Sequence, residues 1–143
     1  MISQSICNSF KQGLLEGKFD FSDTTTQTFK IALYTSASDI SAATTAYTTA
    51  NEVSGVGYTA GGQALTISVN PTLSLNVAYI NFATVTWTAT SLTARGALIY
   101  KADGVTNPAV ATILFGEDVT TSSGNFEIEF PLSTAQTAIV RCA

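Results

Sequence analysis

The sequence predicts an all-β domain, an antiparallel β-sandwich or jelly-roll-like fold preceded by a short N-terminal α-helix. Three observations lead there. Apolar residues past Asp20 recur with a period of two; Gly, Pro, Asn and Asp punctuate the chain at short intervals; and strand-like runs never alternate with helical ones, so no βαβ rhythm arises. A chain of 143 residues fits one domain and buries roughly two-thirds of the surface its unfolded form exposes. Residues 1–143 therefore read as a single domain, with residues 1–20 as a helical arm and 36–62 as a long Ser/Thr/Gly-rich loop.

In the arm, Ser3 is placed to cap a helix whose apolar positions Ile6, Cys7, Phe10 and Leu14 follow helical spacing, with Gly17 at the stop and Gly13 weakening the middle. So short a helix gains its stability from docking the Phe10 and Leu14 stripe, on its own sheet or on a neighbouring subunit. Next, Phe29, Ile31 and Leu33 alternate with Lys30, Ala32 and Tyr34 as in a half-buried strand. From Ser36 to Gly62 the chain is dominated by Ser, Ala, Thr and Gly, with Tyr47, Val53 and Tyr58 as candidate anchors, and a loop of that length is either functional or extended against a partner. Strands follow at Ala64–Val69, Val77–Thr88, Thr93–Tyr100, Val110–Phe115, Asn125–Phe130 and Thr137–Arg141. Asn70-Pro71, Asp103-Gly104, Asn107-Pro108 and Ser123-Gly124 are the expected turns. Val85 and Trp87 share a core face, as do Phe126, Ile128 and Phe130.

Composition narrows the function. Hydrophobic residues make up 45% and charged residues 11%, against roughly 25% charge in ordinary soluble domains. Thr and Ser stand where Lys and Glu usually do, as at Thr24-Thr25-Thr26, Thr44-Thr45, Thr48-Thr49 and Thr84 to Thr90. Such a surface is desolvated at low cost, because a hydroxyl that finds a partner is far less expensive to bury than an ion. That favours life in an assembly. The net charge is −4, and Lys11, Lys18, Lys30, Arg95, Lys101 and Arg141 are scattered, so no nucleic-acid footprint forms. No apolar run reaches the ~20 residues that span a bilayer. Met1-Ile2-Ser3-Gln4 opens no basic and then apolar leader, so synthesis in a reducing cytoplasm is expected. Cys7 and Cys142 read either as two reduced, largely buried thiols or as a bridge between paired termini.

Chemistry finds few residues to work with. There is no His, so neither a Ser/His/Asp nor a Cys/His centre can be built, and two Cys alone make no zinc site. Glu127 and Glu129 share a strand face at a spacing a two-carboxylate hydrolase could use, but a solvated strand face explains them as well. Glu117 and Asp118 precede the Val119 to Gly124 turn, where acids initiate turns and no EF-hand spacing exists. The Gly-rich stretch Ser54 to Gly62 precedes a strand, has GxGxxxG spacing and lacks a Walker Lys, so its glycines serve backbone geometry and not phosphate. Tyr58 among them reads as a loop-borne contact residue. The expectation is no enzyme, no cofactor and no metal, with interface candidates Phe10, Leu14, Tyr47, Val53 and Tyr58.

Several stretches together carry a resemblance: Phe29 to Thr35, Asn51 to Gly55 leading into Gly57 to Gly62, Ala94-Arg95-Gly96-Ala97-Leu98-Ile99-Tyr100, and Phe126 to Pro131. The chain resembles, over nearly its whole length, a family of small virion structural proteins of tailed bacteriophages, and the glycine-rich stretch with the Ala-Arg-Gly-Ala segment is the most specific part. The resemblance implies a virion component made in the host bacterial cytoplasm, without catalytic residues. The leading expectation is a capsid decoration (cement) protein that bridges major capsid protein subunits and associates with itself as a homodimer or homotrimer. A tail adaptor or fibre-base protein is the alternative. A carbohydrate-binding sandwich with Trp87 and tyrosines stacking on sugar comes third.

Overall fold

The structure is a computed structural model, and it describes residues 1–23 and 25–143; Thr24, one of the Thr-rich positions above, lies outside them. In chain order the elements are β1 (Ser5–Ile6), α1 (Asn8–Leu15), β2 (Phe29–Tyr34), β3 (Gln63–Ala64), β4 (Ile67–Ser74), β5 (Val77–Phe82), β6 (Val85–Lys101), β7 (Ala109–Ile128) and β8 (Val140–Cys142). They form two antiparallel sheets, ordered β1-β7-β6-β2-β3 and β4-β5-β8, packed in an all-β, sandwich-like arrangement. The predicted fold class stands.

Helix α1 starts later than the Ser3 cap implies. Ser5 and Ile6 pair with Thr112 and Ala111 of β7, so the backbone is extended there and Cys7 takes the N-cap position without a side-chain cap. The predicted stop is right: Gly17 has φ 71, its N–H bonds Leu14 O, and Lys18 N–H bonds Gly13 O, which together satisfy the last carbonyls of the helix. Gly13 is there for packing, since a Cβ would lie 2.5 Å from Phe19 Cε2. The helix docks on its own chain. Phe10 meets Phe19 (centroids 4.8 Å) and Phe21 (5.9 Å), Phe21 stacks on Phe29 (4.4 Å), and Phe29 and Phe130 flank Phe82, so a train of rings ties arm and both sheets together.

Strand β2 is buried on both faces, not one. Ile31, Ala32, Leu33 and Tyr34 are all at 0% exposure. The Phe29 face looks toward Phe82 of the second sheet, while the Tyr34 face is covered by the segment 36–62: Tyr34 Oη donates to Thr48 O (2.6 Å) and Tyr47 stacks on Tyr100 at 4.7 Å. That segment is a third layer laid back on its own sheet, bridged to strand residues at Tyr34–Glu52 and Val56–Ser91.

The remaining boundaries shift for identifiable reasons. The stretch expected as a strand over Val77–Thr88 changes sheet at Ala83-Thr84, where Ala83 N–H bonds Thr66 O. Val119 to Gly124 is no turn: it lies inside β7, paired with β6 through Thr93–Thr120 (2.9 Å) and Thr90–Thr121 (2.7 Å) hydroxyl contacts, the cross-strand ladder that β-branched Thr favours. Glu117 and Asp118 are therefore strand residues, and Asp118 pairs with Arg95 at 2.7 Å. Asn70-Pro71 also sits within a strand; β4 is an edge with an irregularity between Val69 and Thr72, the setting that tolerates a proline. The true turn is Leu75-Asn76.

Register shifts in the β6–β7 ribbon and Gly116 at φ 86 curl β7. Straight, the eleven residue-to-residue steps from Phe115 to Phe126 would span about 36 Å. Their rings are instead 6.0 Å apart, so the ribbon closes around the Trp87 side of the core.

Candidate functional site

The predicted loop residues converge on Glu52. Tyr47 Oη donates to Glu52 Oε2 and Tyr58 Oη to Oε1, both at 2.6 Å, and Gly61 N–H reaches Oε1 at 2.7 Å. Tyr58 Oη also accepts from Leu33 N–H of β2 (2.9 Å), and Tyr100 Oη donates to Gly61 O (2.7 Å). Burial raises the hydroxyls of Tyr34, Tyr47, Tyr58 and Tyr100 above their usual range, and acceptance by Glu52 adds to this at Tyr47 and Tyr58. The tyrosyl groups stay protonated and hold a carboxylate against the sheet. Val53 beside them is 4% exposed. Tyr47, Val53 and Tyr58 thus come together as the fastening of the loop, with Tyr58 half-buried and its ring 6.1 Å from Trp87.

Phe10 is 1% exposed and belongs to the core of its own chain, while Leu14 is half-buried at the edge of that core. Glu127 and Glu129 are exposed on β7 and its continuation, Glu127 accepting from Thr86 Oγ1 at 3.1 Å. They rim a hollow of about 370 Å³ whose walls include Ile113, Phe115, Phe126 and Phe130. Trp87, at 1% exposure between Tyr58 and Phe126, offers no ring face to a sugar. Among the described residues no group of three or more His, Cys, Asp or Glu is placed to hold a metal ion, and no helix is long and apolar enough to cross a membrane. Both cysteines are free. Cys7 is buried, as expected, but Cys142, at the end of β8, is exposed.

One surface open to another molecule was not singled out from the sequence: the outer half of the β4–β5 hairpin. Asn70, Pro71, Thr72, Leu73, Leu75, Asn76 and Ala78 are exposed, Leu73 at 73% and Leu75 at 83%. Leu75 occupies the tight turn with φ 55, an uncommon conformation for a bulky residue. At the base of the hairpin a hollow of about 240 Å³ is lined by Leu14, Phe19, Phe21, Ala78, Ile80 and Val140. A signal for this surface does exist in the sequence, because no charged residue occurs from Val53 to Ala94. A hairpin end that displays leucines without charges suits burial in a contact. Comparison with family models, with curated proteins and with solved structures finds no match to the chain.

Proposed function

We propose that the chain is a structural subunit of a tailed-bacteriophage particle, in first place a capsid decoration protein that sits on the outside of the head shell and bridges neighbouring major capsid subunits. The sequence resemblance supplies the setting, and one observation carries the mode of action: the projecting, charge-free β4–β5 hairpin with Leu73 and Leu75 exposed. Such an element works by being covered. A rigid body supports it, since the segment 36–62 is fastened through Glu52 and leaves the hairpin as the unsupported part of the surface.

Mixing purified chain with expanded capsids that lack it, followed by sedimentation, tests the reading. Co-sedimentation at many copies per capsid is the expected outcome, and Leu73→Asp with Leu75→Asp should reduce it at least tenfold. A chain left in the supernatant sinks the head-shell reading. A few copies per intact virion by gel densitometry would move the protein to the tail, as an adaptor or fibre-base component.

A further inference from the structure

We infer that the open side of the sandwich along the edge of β7 is a docking groove for an extended protein segment in which basic and apolar residues alternate. Three features of that edge converge. The first is backbone left without a strand partner. β7 lies between β6 and β1, yet β1 covers only Ala111 and Thr112. Past them no strand among the described residues pairs on that side. Leu114 N–H is met instead by Gln4 Oε1 at 3.3 Å, an exposed side chain standing where an added strand would place its own carbonyl. The second is shape. The hollow of about 370 Å³ shares Gln4 and Ile139 with a hollow of about 230 Å³ beside Ile6 and Ala111, so the two form one groove along the strand. From Ala111 to Phe115 it follows four residue steps, about 13 Å, which accommodates four residues of an extended chain. Ile113, Phe115, Phe130 and Ile139 line it half-buried, and Asn81 Nδ2 holds Pro131 O of its wall at 2.6 Å.

The third feature is charge, and it selects the occupant. Glu127 and Glu129 rim the groove, neither has an ion-pair partner among the described residues, and no Lys or Arg lines either hollow. Unopposed carboxylates beside apolar walls suit a segment that seats apolar side chains in the hollow and lays Lys or Arg over the rim. The two acids stand two residues apart, about 7 Å in extended backbone, the spacing of successive basic residues in an alternating segment. A second copy of the chain does not fit, since its own β7 edge would bring acid against acid. Its bases are also engaged: Arg95 pairs with Asp118 and Lys18 with Glu16, while Lys101 and Arg141 donate to Lys18 O and Gln136 O. Lys11 in α1 and Lys30 in the interior strand β2 lie on no extended segment free to dock. Nucleic acid is repelled by the same rim. The groove shares no residue with β4 or β5, so it is a contact beyond the one that the hairpin provides.

The test needs no capsids. It uses the purified full chain and three short dye-labelled peptides, in which Lys alternates with Val, Glu with Val, and Lys with Ser. By fluorescence anisotropy the Lys–Val peptide should bind at least tenfold more tightly than either of the others. Glu127→Gln with Glu129→Gln should weaken it at least fivefold, and Glu127→Lys with Glu129→Lys should transfer the preference to the Glu–Val peptide. Both side chains are exposed, so the far-ultraviolet dichroism of these variants should match that of the parent chain. In the complex, hydrogen exchange should slow at Ile113 to Phe115 and stay as in the free chain across Asn70 to Asn76. Leu73→Asp with Leu75→Asp should bind the peptide as the parent does, which separates failure of the groove from failure of the hairpin at capsids. The groove is overturned if none of the peptides binds, if the Lys–Ser or the Glu–Val peptide binds as well as the Lys–Val one, or if the carboxylates can be replaced without effect. Protection that falls on the hairpin instead of β7, or a dimer of the chain that the Lys–Val peptide disperses, overturns it equally.

Discussion

Cys7 illustrates how one side chain ties the termini of the fold to its pH response. It is at 0% exposure, its N–H bonds Val110 O, and its thiol faces Ser41 O, so strand β7, the N-terminal arm and the covering loop meet at this sulfur. Burial pushes the thiol up to about 11, with the nearby charge of Lys11 only partly opposing it. An unfolded thiol ionises near 8.5. Between those values the unfolded chain loses a proton that the native chain keeps, so stability from this group is full below about pH 8.5 and is lost as pH rises toward 11. The four raised tyrosines act with the same sign, but only above about pH 10. Urea melts taken from pH 8 to 10 should show stability falling by at most about 1.4 kcal/mol per pH unit from this thiol. Cys142→Ser should keep that slope and Cys7→Ala should flatten it; an unchanged slope in Cys7→Ala refutes the assignment. Cys7 was legible as an apolar position but not as the extended residue that precedes α1, and the exposure of Cys142 beside the buried Val140 of the same strand is set by tertiary packing, which no local pattern encodes.

At the scale of the element, the segment 36–62 is ordered by hydrogen bonds that no periodicity reveals. Tyr58 Oη is shared between Leu33 N–H of β2 and the Glu52 carboxylate, and Gly62 passes so close to β2 that a Cβ there would lie 1.7 Å from Ile31 O. Tyr58→Phe removes the shared hydroxyl, strands the Leu33 N–H and leaves Glu52 Oε1 with the Gly61 N–H alone. The expected cost is about 1–3 kcal/mol in denaturant midpoint with an unchanged m value, because a buried group left without its partner bears its full desolvation penalty. A variant as stable as the parent chain would show that water replaces the hydroxyl. The glycine-rich stretch and the presence of Tyr47, Val53 and Tyr58 were readable from the sequence, and so was the rejection of a phosphate loop. Their convergence on Glu52 was not, because a lone acid between Asn51 and Val53 carries no spacing signal. The same limit explains the ribbon: Thr90, Thr120 and Thr121 read as turn or solvated surface until their cross-strand partners are known.

For the molecule as a whole, the asymmetry between its two sheets decides where stability and contact reside. The five-stranded sheet is covered on one face by the second sheet and on the other by the segment 36–62, while the outer half of β4–β5 has neither cover. Global fold class was legible because alternation of apolar residues is set by the pleat; the division of labour was not, because Asn70-Pro71 reads as a turn that ends a strand at Val69 and hides the rest of β4. Covered backbone opens only with global unfolding, and uncovered hairpins open locally at little free-energy cost. Hydrogen exchange in dilute chain should therefore be slowest at Ile31 to Tyr34 and at Leu98 and Ile99, and fastest across Asn70 to Asn76. Equal protection of hairpin and β2 in dilute chain would mean that the second sheet is as firmly held as the first, and that the exposed leucines are not the open surface from which contact begins.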